Sequence, residues 1–308
     1  MDYKRANRTY LYMIIATLAL VLLISYYYAV TGRSLSIFMD NLLCELVILL
    51  PTLAVVLFSG EKISNVIPMR GIKPASMALT VAYLLALFPL VTCVNYISMF
   101  FVENMVSSIS DEVLAMPMWM MILSMGLIGP FIEEIVFRGV IFHSYKKTGR
   151  IVGSIILSSV LFGMMHLNFN QFAYGAVMGV MFCLLVEATG SVLTSFIAHA
   201  LFNTIEVIVM YTASGTVGEA DVVVENVVGD HSIWVLLTFY FVLAVVFTTA
   251  ALYIVRKIAD IQGRTDYFNY IRKSEKQGYK LITVPLVIAV MISVAYMCFV
   301  AYISNYTY

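Results

Sequence analysis

Nine apolar runs dominate this sequence, at residues 10–31, 36–58, 76–102, 117–144, 151–168, 170–188, 191–212, 232–255 and 281–303. A bilayer core of about 30 Å is crossed by about 20 apolar residues in a helix. The chain therefore reads as an all-α, polytopic transmembrane helix bundle of eight to nine spans. Composition agrees, since 62% of the 308 residues are hydrophobic and 12% charged, with mean hydropathy +0.94. A soluble two-domain protein of this length does not have that make-up. Little chain is left for a separate soluble unit, so residues 1–308 read as a single integral-membrane domain. The first run is too long for a signal-peptide core and ends in Tyr26-Tyr27-Tyr28-Ala29-Val30 with no small-residue cleavage site. It is expected to remain as an anchor.

Formal net charge is zero, so the distribution of charge carries the information. With the amino terminus cytoplasmic, the inside segments hold Lys4, Arg5, Arg8, then Lys62, Arg70, Lys73, then Lys146, Lys147, Arg150, then seven more between Arg256 and Lys280. That is 16 of the 18 basic residues. Arg33 falls in a short outer loop and Arg138 within a span, while the loops around Glu103 to Glu112 and Glu219 to Asp230 contain no Lys or Arg. The bias predicts a multi-pass protein, of the cell membrane in a prokaryote, with its amino terminus inside. Basic residues confined to short loops exclude nucleic acid as an expected partner and leave the lipid bilayer as one. The stretch from Arg256 to Lys280, interleaved with Tyr267, Phe268 and Tyr270, is first of all this topology signal and second a candidate for lying on the inner leaflet. Cys44, Cys93, Cys183 and Cys298 lie singly in apolar runs, without zinc or redox spacing, and read as small buried hydrophobes. No internal repeat or low-complexity tract is visible.

Charged and imidazole groups inside a span are costly and usually face a cavity or a partner. The densest case is Gly129-Pro130-Phe131-Ile132-Glu133-Glu134-Ile135-Val136-Phe137-Arg138-Gly139. Both carboxylates lie about 18 Å deep if the segment is helical and is counted from Lys146. Glu134 and Arg138, at i and i+4, can pair on one face. Glu133 is turned by about 100° and has Phe137 as its i+4 neighbour, so it is left free for chemistry. A packing role explains Glu134 and Arg138 but not the second carboxylate. The next polar positions are His166, in Phe162-Gly-Met-Met-His166, and the stripe Ser195, His199, Asn203 at i, i+4 and i+8. A single histidine on an apolar helix is ordinarily a packing residue. At 1.5 Å per residue, however, Glu133, His166, His199 and Asn203 fall in one mid-membrane layer, roughly 12 to 23 Å from the cytoplasmic ends. A carboxylate, two imidazoles and a carboxamide converging at one depth is what a water-activating site requires.

Glu133-Glu134-x-x-Phe137-Arg138, then Phe162-x-x-x-His166, then His199-x-x-x-Asn203, in order on successive spans, resembles the intramembrane proteases of the CAAX-protease and bacteriocin-processing family. That family is also called the ABI or type II CAAX endopeptidase family. The three motifs cover residues 133–203, and the family-like catalytic core extends over about 115–212. The resemblance implies a helical bundle with a mid-membrane catalytic cavity, cleaving a peptide bond in a peptide or a membrane-anchored protein terminus. It implies Glu133 as general base, His166 orienting the attacking water, His199 and Asn203 stabilising the oxyanion, and Glu134 with Arg138 holding the site together. A carboxylate in a low-dielectric cavity is a stronger base, and donors aimed at a developing oxyanion are the larger catalytic contribution.

The family has been described both as metalloprotease and as metal-free glutamate protease, and the sequence permits either. A divalent metal such as zinc would have Glu133, His166 and His199 as ligands. If Glu133 is instead the base and Glu134 is held by Arg138, the third ligand would be the amide oxygen of Asn203, a poor donor to zinc. The chemistry therefore favours a site that requires no cofactor. A proton- or ion-coupled transporter would spread titratable groups through the bilayer depth rather than gather them in one layer with an asparagine. A catalytically silent immunity or regulatory protein, binding a peptide in the same place, is the other alternative. Prenylated proteins, bacteriocin leaders and pheromone precursors all remain open as substrates, as does the oligomeric state. Outside the motifs, Glu206 continues the His199 face toward the outer end of its span, Asp40 lies near the outer interface, and Glu45 is unexplained. Glu187 and His143 read as interfacial, and Gly175-x-x-x-Gly179 as a close-packing face.

Overall fold

The structure is a computed structural model, and it describes residues 1–213, 231–271 and 280–306. The outer loop around Glu219 to Asp230, and Arg272, Lys273 and Lys276 of the basic stretch, lie outside the described residues. Among those residues every regular element is helical. Nine helices form the body: α1 (Tyr3–Thr31), α2 (Ile37–Phe58), α3 (Pro74–Met99), α4 (Met118–Lys146), α5 (Ile151–Met165), α6 (Phe169–Thr189), α7 (Val192–Ala213), α8 (His231–Ile261) and α9 (Val284–Tyr306). Eight are long and apolar enough to cross a membrane, and the protein is an integral multi-pass membrane protein. The exception is α5, whose 15 residues extend about 22 Å and fall short of a full crossing.

Helix ends follow local chemistry. Asp2 caps α1 by accepting from the Arg5 N–H, Ser36 caps α2 through Met39, and Pro74 opens α3 at a position where its missing N–H costs nothing. Gly190 closes α6 with φ 74°, its N–H bonded to the Val186 carbonyl, and any Cβ there would stand 2.9 Å from the side chains of Arg264 and Arg70. Only glycine fits this turn, and the turn sets where α7 begins.

The central helix is α4, packed against α2, α5, α6 and α7; α3 runs along α8, and α1 lies between α2 and α9. Helices α5 and α6 form a tight antiparallel hairpin. A Cβ on Gly163 would stand 2.6 Å from the Phe172 carbonyl oxygen, and one on Gly179 2.7 Å from the Ser159 Cβ. Small residues thus let the two backbones touch, the role expected for Gly175 and Gly179.

The segments that the basic bias groups together lie at one end of the bundle. The terminal amino group and Lys147 both pair with Glu61, Lys146 pairs with Glu187, and the Arg264 Nε donates to the Glu187 carbonyl at 3.0 Å. Glu187 thus lies at this basic end, near the end of α6, with its side chain buried against Lys146. The expectation for the cysteines holds for Cys93 and Cys183, whereas Cys44 and Cys298 are exposed. On a membrane helix an apolar position points as readily to lipid as to the core, so hydropathy does not separate the two.

Candidate active site

The site begins with an irregularity in α4. Gly129–Glu134 is α-helical, but the flanking stretches Ile122–Ile128 and Ile135–Phe142 are π-helical. The Gly129 N–H bonds to the Ser124 carbonyl, five residues back, and the next residue, Pro130, has no N–H. The Met125 carbonyl therefore receives no donor from its own helix. Asn203 Nδ2 of α7 supplies one at 3.0 Å. The close approach this needs is provided by Gly126, where a Cβ would stand 2.6 Å from Thr204 Oγ1. Wide turns of this kind occur often at functional sites.

Glu133 and Glu134 end the α-helical stretch between the two wide turns. Arg138 Nη1 donates to Glu134 Oε1 at 2.7 Å, and His199 Nδ1 lies 3.0 Å from the same oxygen. His199 Nε2 faces the other carboxylate, 3.7 Å from Glu133 Oε2. The imidazole thus bridges the two glutamates. Access differs sharply between them: the side chain of Glu133 is 15% exposed and that of Glu134 0%. The first carboxylate keeps some accessible surface and the second keeps none.

Aromatic rings enclose the ion pair. The Arg138 guanidinium lies 4.1 Å from the Phe162 ring centre and 5.2 Å from that of Phe182. The His199 ring touches the same two, at 5.8 and 5.1 Å. The ring faces meet the cation where hydrogen-bond partners run out: Arg138 Nη2 and Glu134 Oε2 are buried without one.

His166 closes α5. The next residue, Leu167, takes φ 55°, a left-handed conformation costly for a side chain other than glycine. Asn168 fixes the corner, accepting from the Gln171 N–H at 2.8 Å and donating to the His166 carbonyl at 2.9 Å. The His166 ring meets Phe162 edge-on at 5.5 Å and lies beside Gly175, where a Cβ would stand 3.7 Å from Nε2. Among the described residues the ring makes no hydrogen bond with either glutamate.

The structure therefore joins Glu133, Glu134, Arg138 and His199 in one polar group, places Asn203 one turn beyond on the Met125 carbonyl, and holds His166 at the side of Phe162. Among the described residues, no three His, Cys, Asp or Glu side chains are grouped so as to hold a metal ion. His199, with Nδ1 on Glu134 and Nε2 toward Glu133, has the orientation of a histidine held from one side by a carboxylate, and His166 forms no hydrogen bond with either glutamate. Glu206 is exposed. Glu45 reaches α4 above the site, its Oε1 3.1 Å from the place a Gly129 Cβ would occupy, with Oε2 buried and unbonded. Two participants escaped sequence reasoning. Phe182 carries no mark that separates it from other apolar residues of α6. The free Met125 carbonyl had a signal in Gly129-Pro130, but the sequence does not announce the wide turn that makes it matter.

The family described as type II CAAX prenyl endopeptidase Rce1-like matches residues 115–205. The match is confined to the central span and its neighbours. YdiL of Bacillus subtilis (strain 168), named as a membrane peptidase, is 35% identical over 102 residues. That match spans 33% of this chain and 41% of the relative's own length. No solved structure matches the chain significantly. The resemblance read from the three motifs thus agrees with both comparisons, and the matched segment contains every residue of the polar group.

Proposed function

We propose that the protein is an intramembrane endopeptidase that hydrolyses a peptide bond in a peptide or a membrane-tethered protein terminus. The observation that carries this reading is the pair of adjacent carboxylates given different environments, one sealed against Arg138 and one left partly accessible and without a hydrogen bond, with His199 between them. Glu133 takes a proton from water, and the resulting hydroxide adds to the scissile carbonyl. Glu134, held by Arg138, orients His199 through Nδ1, so that Nε2 is the nitrogen presented to the reacting group. Asn203 Nδ2 carries two N–H bonds: one holds the Met125 carbonyl and the other is left for the oxyanion. Collapse of the tetrahedral intermediate breaks the C–N bond, and the proton held by Glu133 passes to the leaving amine. His166, packed on the same Phe162 ring as His199, orients the water in this reading.

A metal-free version is supported by the donor set: with Glu133 as base and Glu134 held by Arg138, the remaining oxygen donor is the Asn203 amide, a poor ligand for zinc. The likeness over residues 115–205 and the name of the B. subtilis relative support peptidase chemistry. The basic residues gathered at one end support a cytoplasmic amino terminus. The test uses purified protein in detergent and a library of short fluorogenic peptides, comparing wild type with Glu133→Ala, each with and without exhaustive chelation. Cleavage lost in the variant and retained under chelation is expected. Cleavage indifferent to Glu133 overturns the site, loss under chelation overturns the metal-free version, and peptide binding without cleavage favours a silent binding protein.

A further inference from the structure

At the basic end of the bundle, on the outer flank of α5, an apolar groove of about 550 Å³ runs between that helix and the residues leading into α9. Its floor is the stripe Gly153, Leu157 and Val160, at i, i+4 and i+7 of α5. Its rim is open: Ile156 is 54% and Ile282 64% exposed. Two cations, Arg150 and Lys280, stand at its head. Neither is among the ion pairs formed by Lys146, Lys147 and the amino terminus, and Arg150 Nε is buried with no hydrogen-bond partner.

The far wall is a fixed part of the fold. Asn7 Nδ2 of α1 donates to the Leu281 carbonyl at 2.8 Å and to Thr283 Oγ1 at 2.9 Å, and Asn7 Oδ1 in turn accepts from the Tyr145 hydroxyl at 2.5 Å. Leu281 then rests on Gly153, where a Cβ would stand 3.3 Å from its Cδ1. Exposed apolar surface on a membrane helix needs only lipid tails. A groove with a built wall and two cations at one end that form no ion pair among the described residues is a more particular feature, because it complements a molecule that is apolar along its length and anionic at its head.

We propose that this groove binds an anionic phospholipid of the inner leaflet, one acyl chain lying along α5 and the phosphate between Arg150 and Lys280. The position fits the chemistry. The groove opens at the end of the bundle where basic residues collect, the end that faces the negatively charged cytoplasmic leaflet. Basic pockets between helices on that side are suited to anionic headgroups. None of the lining residues belongs to the polar group around Glu133, so this inference stands or falls independently of peptidase activity.

Native mass spectrometry of the full-length protein in detergent, titrated with phosphatidylglycerol or phosphatidylcholine of matched chains, tests it. Wild type should retain phosphatidylglycerol preferentially. Arg150→Gln and Lys280→Gln should each weaken that retention about fivefold, and the double variant should abolish the preference. Arg8→Gln, which removes an exposed cation of α1 outside the groove, should leave it unchanged. Equal retention of the two lipids by wild type, or equal losses in Arg8→Gln and the double variant, overturns the proposal. Should the double variant not melt cooperatively, the wild-type comparison of the two lipids decides alone.

Discussion

Glu133 and Glu134 differ by one position in sequence and by their whole environment in space. Glu133→Gln should lower peptide cleavage by about 10²- to 10⁴-fold, the usual contribution of a positioned proton acceptor, with little change in melting temperature because its carboxylate holds no buried ion-pair hydrogen bond of the Glu134–Arg138 kind. Glu134→Gln should act differently. It leaves the Arg138 guanidinium buried beside an uncharged amide, and breaking a buried pair from one side costs about 3–5 kcal/mol. A large fall in melting temperature is expected, and Glu134→Leu combined with Arg138→Met should recover much of it without recovering cleavage. Thermal unfolding and peptide turnover on the same samples check both statements. Equal destabilisation by Glu133→Gln and Glu134→Gln would contradict the division of labour.

At the scale of elements, α4 and α7 are joined where α4 departs from α-helical bonding. The Asn203 amide fills a carbonyl that Pro130 cannot serve, so the position of α7 depends on a defect in its neighbour. Asn203→Ala should reduce turnover by about 10²- to 10³-fold if its second N–H meets the oxyanion. Pro130→Ala should show a smaller loss of turnover with the same direction, since a restored N–H competes for the Met125 carbonyl and loosens the Asn203 amide. Turnover unchanged in Pro130→Ala would mean that the wide turn does not govern the amide. In the α5–α6 hairpin, Gly163→Ala places a methyl 2.6 Å from the Phe172 carbonyl oxygen. Overpacking of that kind costs about 1–3 kcal/mol, and because His166 lies three residues on, activity and melting temperature should fall together.

For the whole molecule, the ion pairs at one end and the basic bias of the sequence specify an orientation that labelling can check. With the native cysteines replaced, a thiol at Ser59 should react with a membrane-impermeant reagent only in inverted vesicles, and a thiol at Ser108 only in intact cells. The opposite pattern would reverse the topology and place the lipid groove in the other leaflet.

The sequence by itself determined the helical class and the approximate span positions and singled out the candidate site residues, and the physical reason is the bilayer. Hydrocarbon penalises every unpaired charge, so Glu133, Glu134, Arg138, His166, His199 and Asn203 stand out against an apolar background without any knowledge of their contacts. The i, i+4 spacing also foretold the Glu134–Arg138 pair, because that contact lies within one helix. Only the tertiary structure decided the rest. That His199 belongs to both glutamates, that Phe182 shields Arg138 beside Phe162, and that Asn203 serves the Met125 carbonyl are contacts between helices far apart in the chain. Hydropathy is blind to which side of an apolar helix meets protein and which meets lipid. The exposure of Cys44 and Cys298, the burial of Glu187 and the groove along α5 could therefore be read only once the helices were packed.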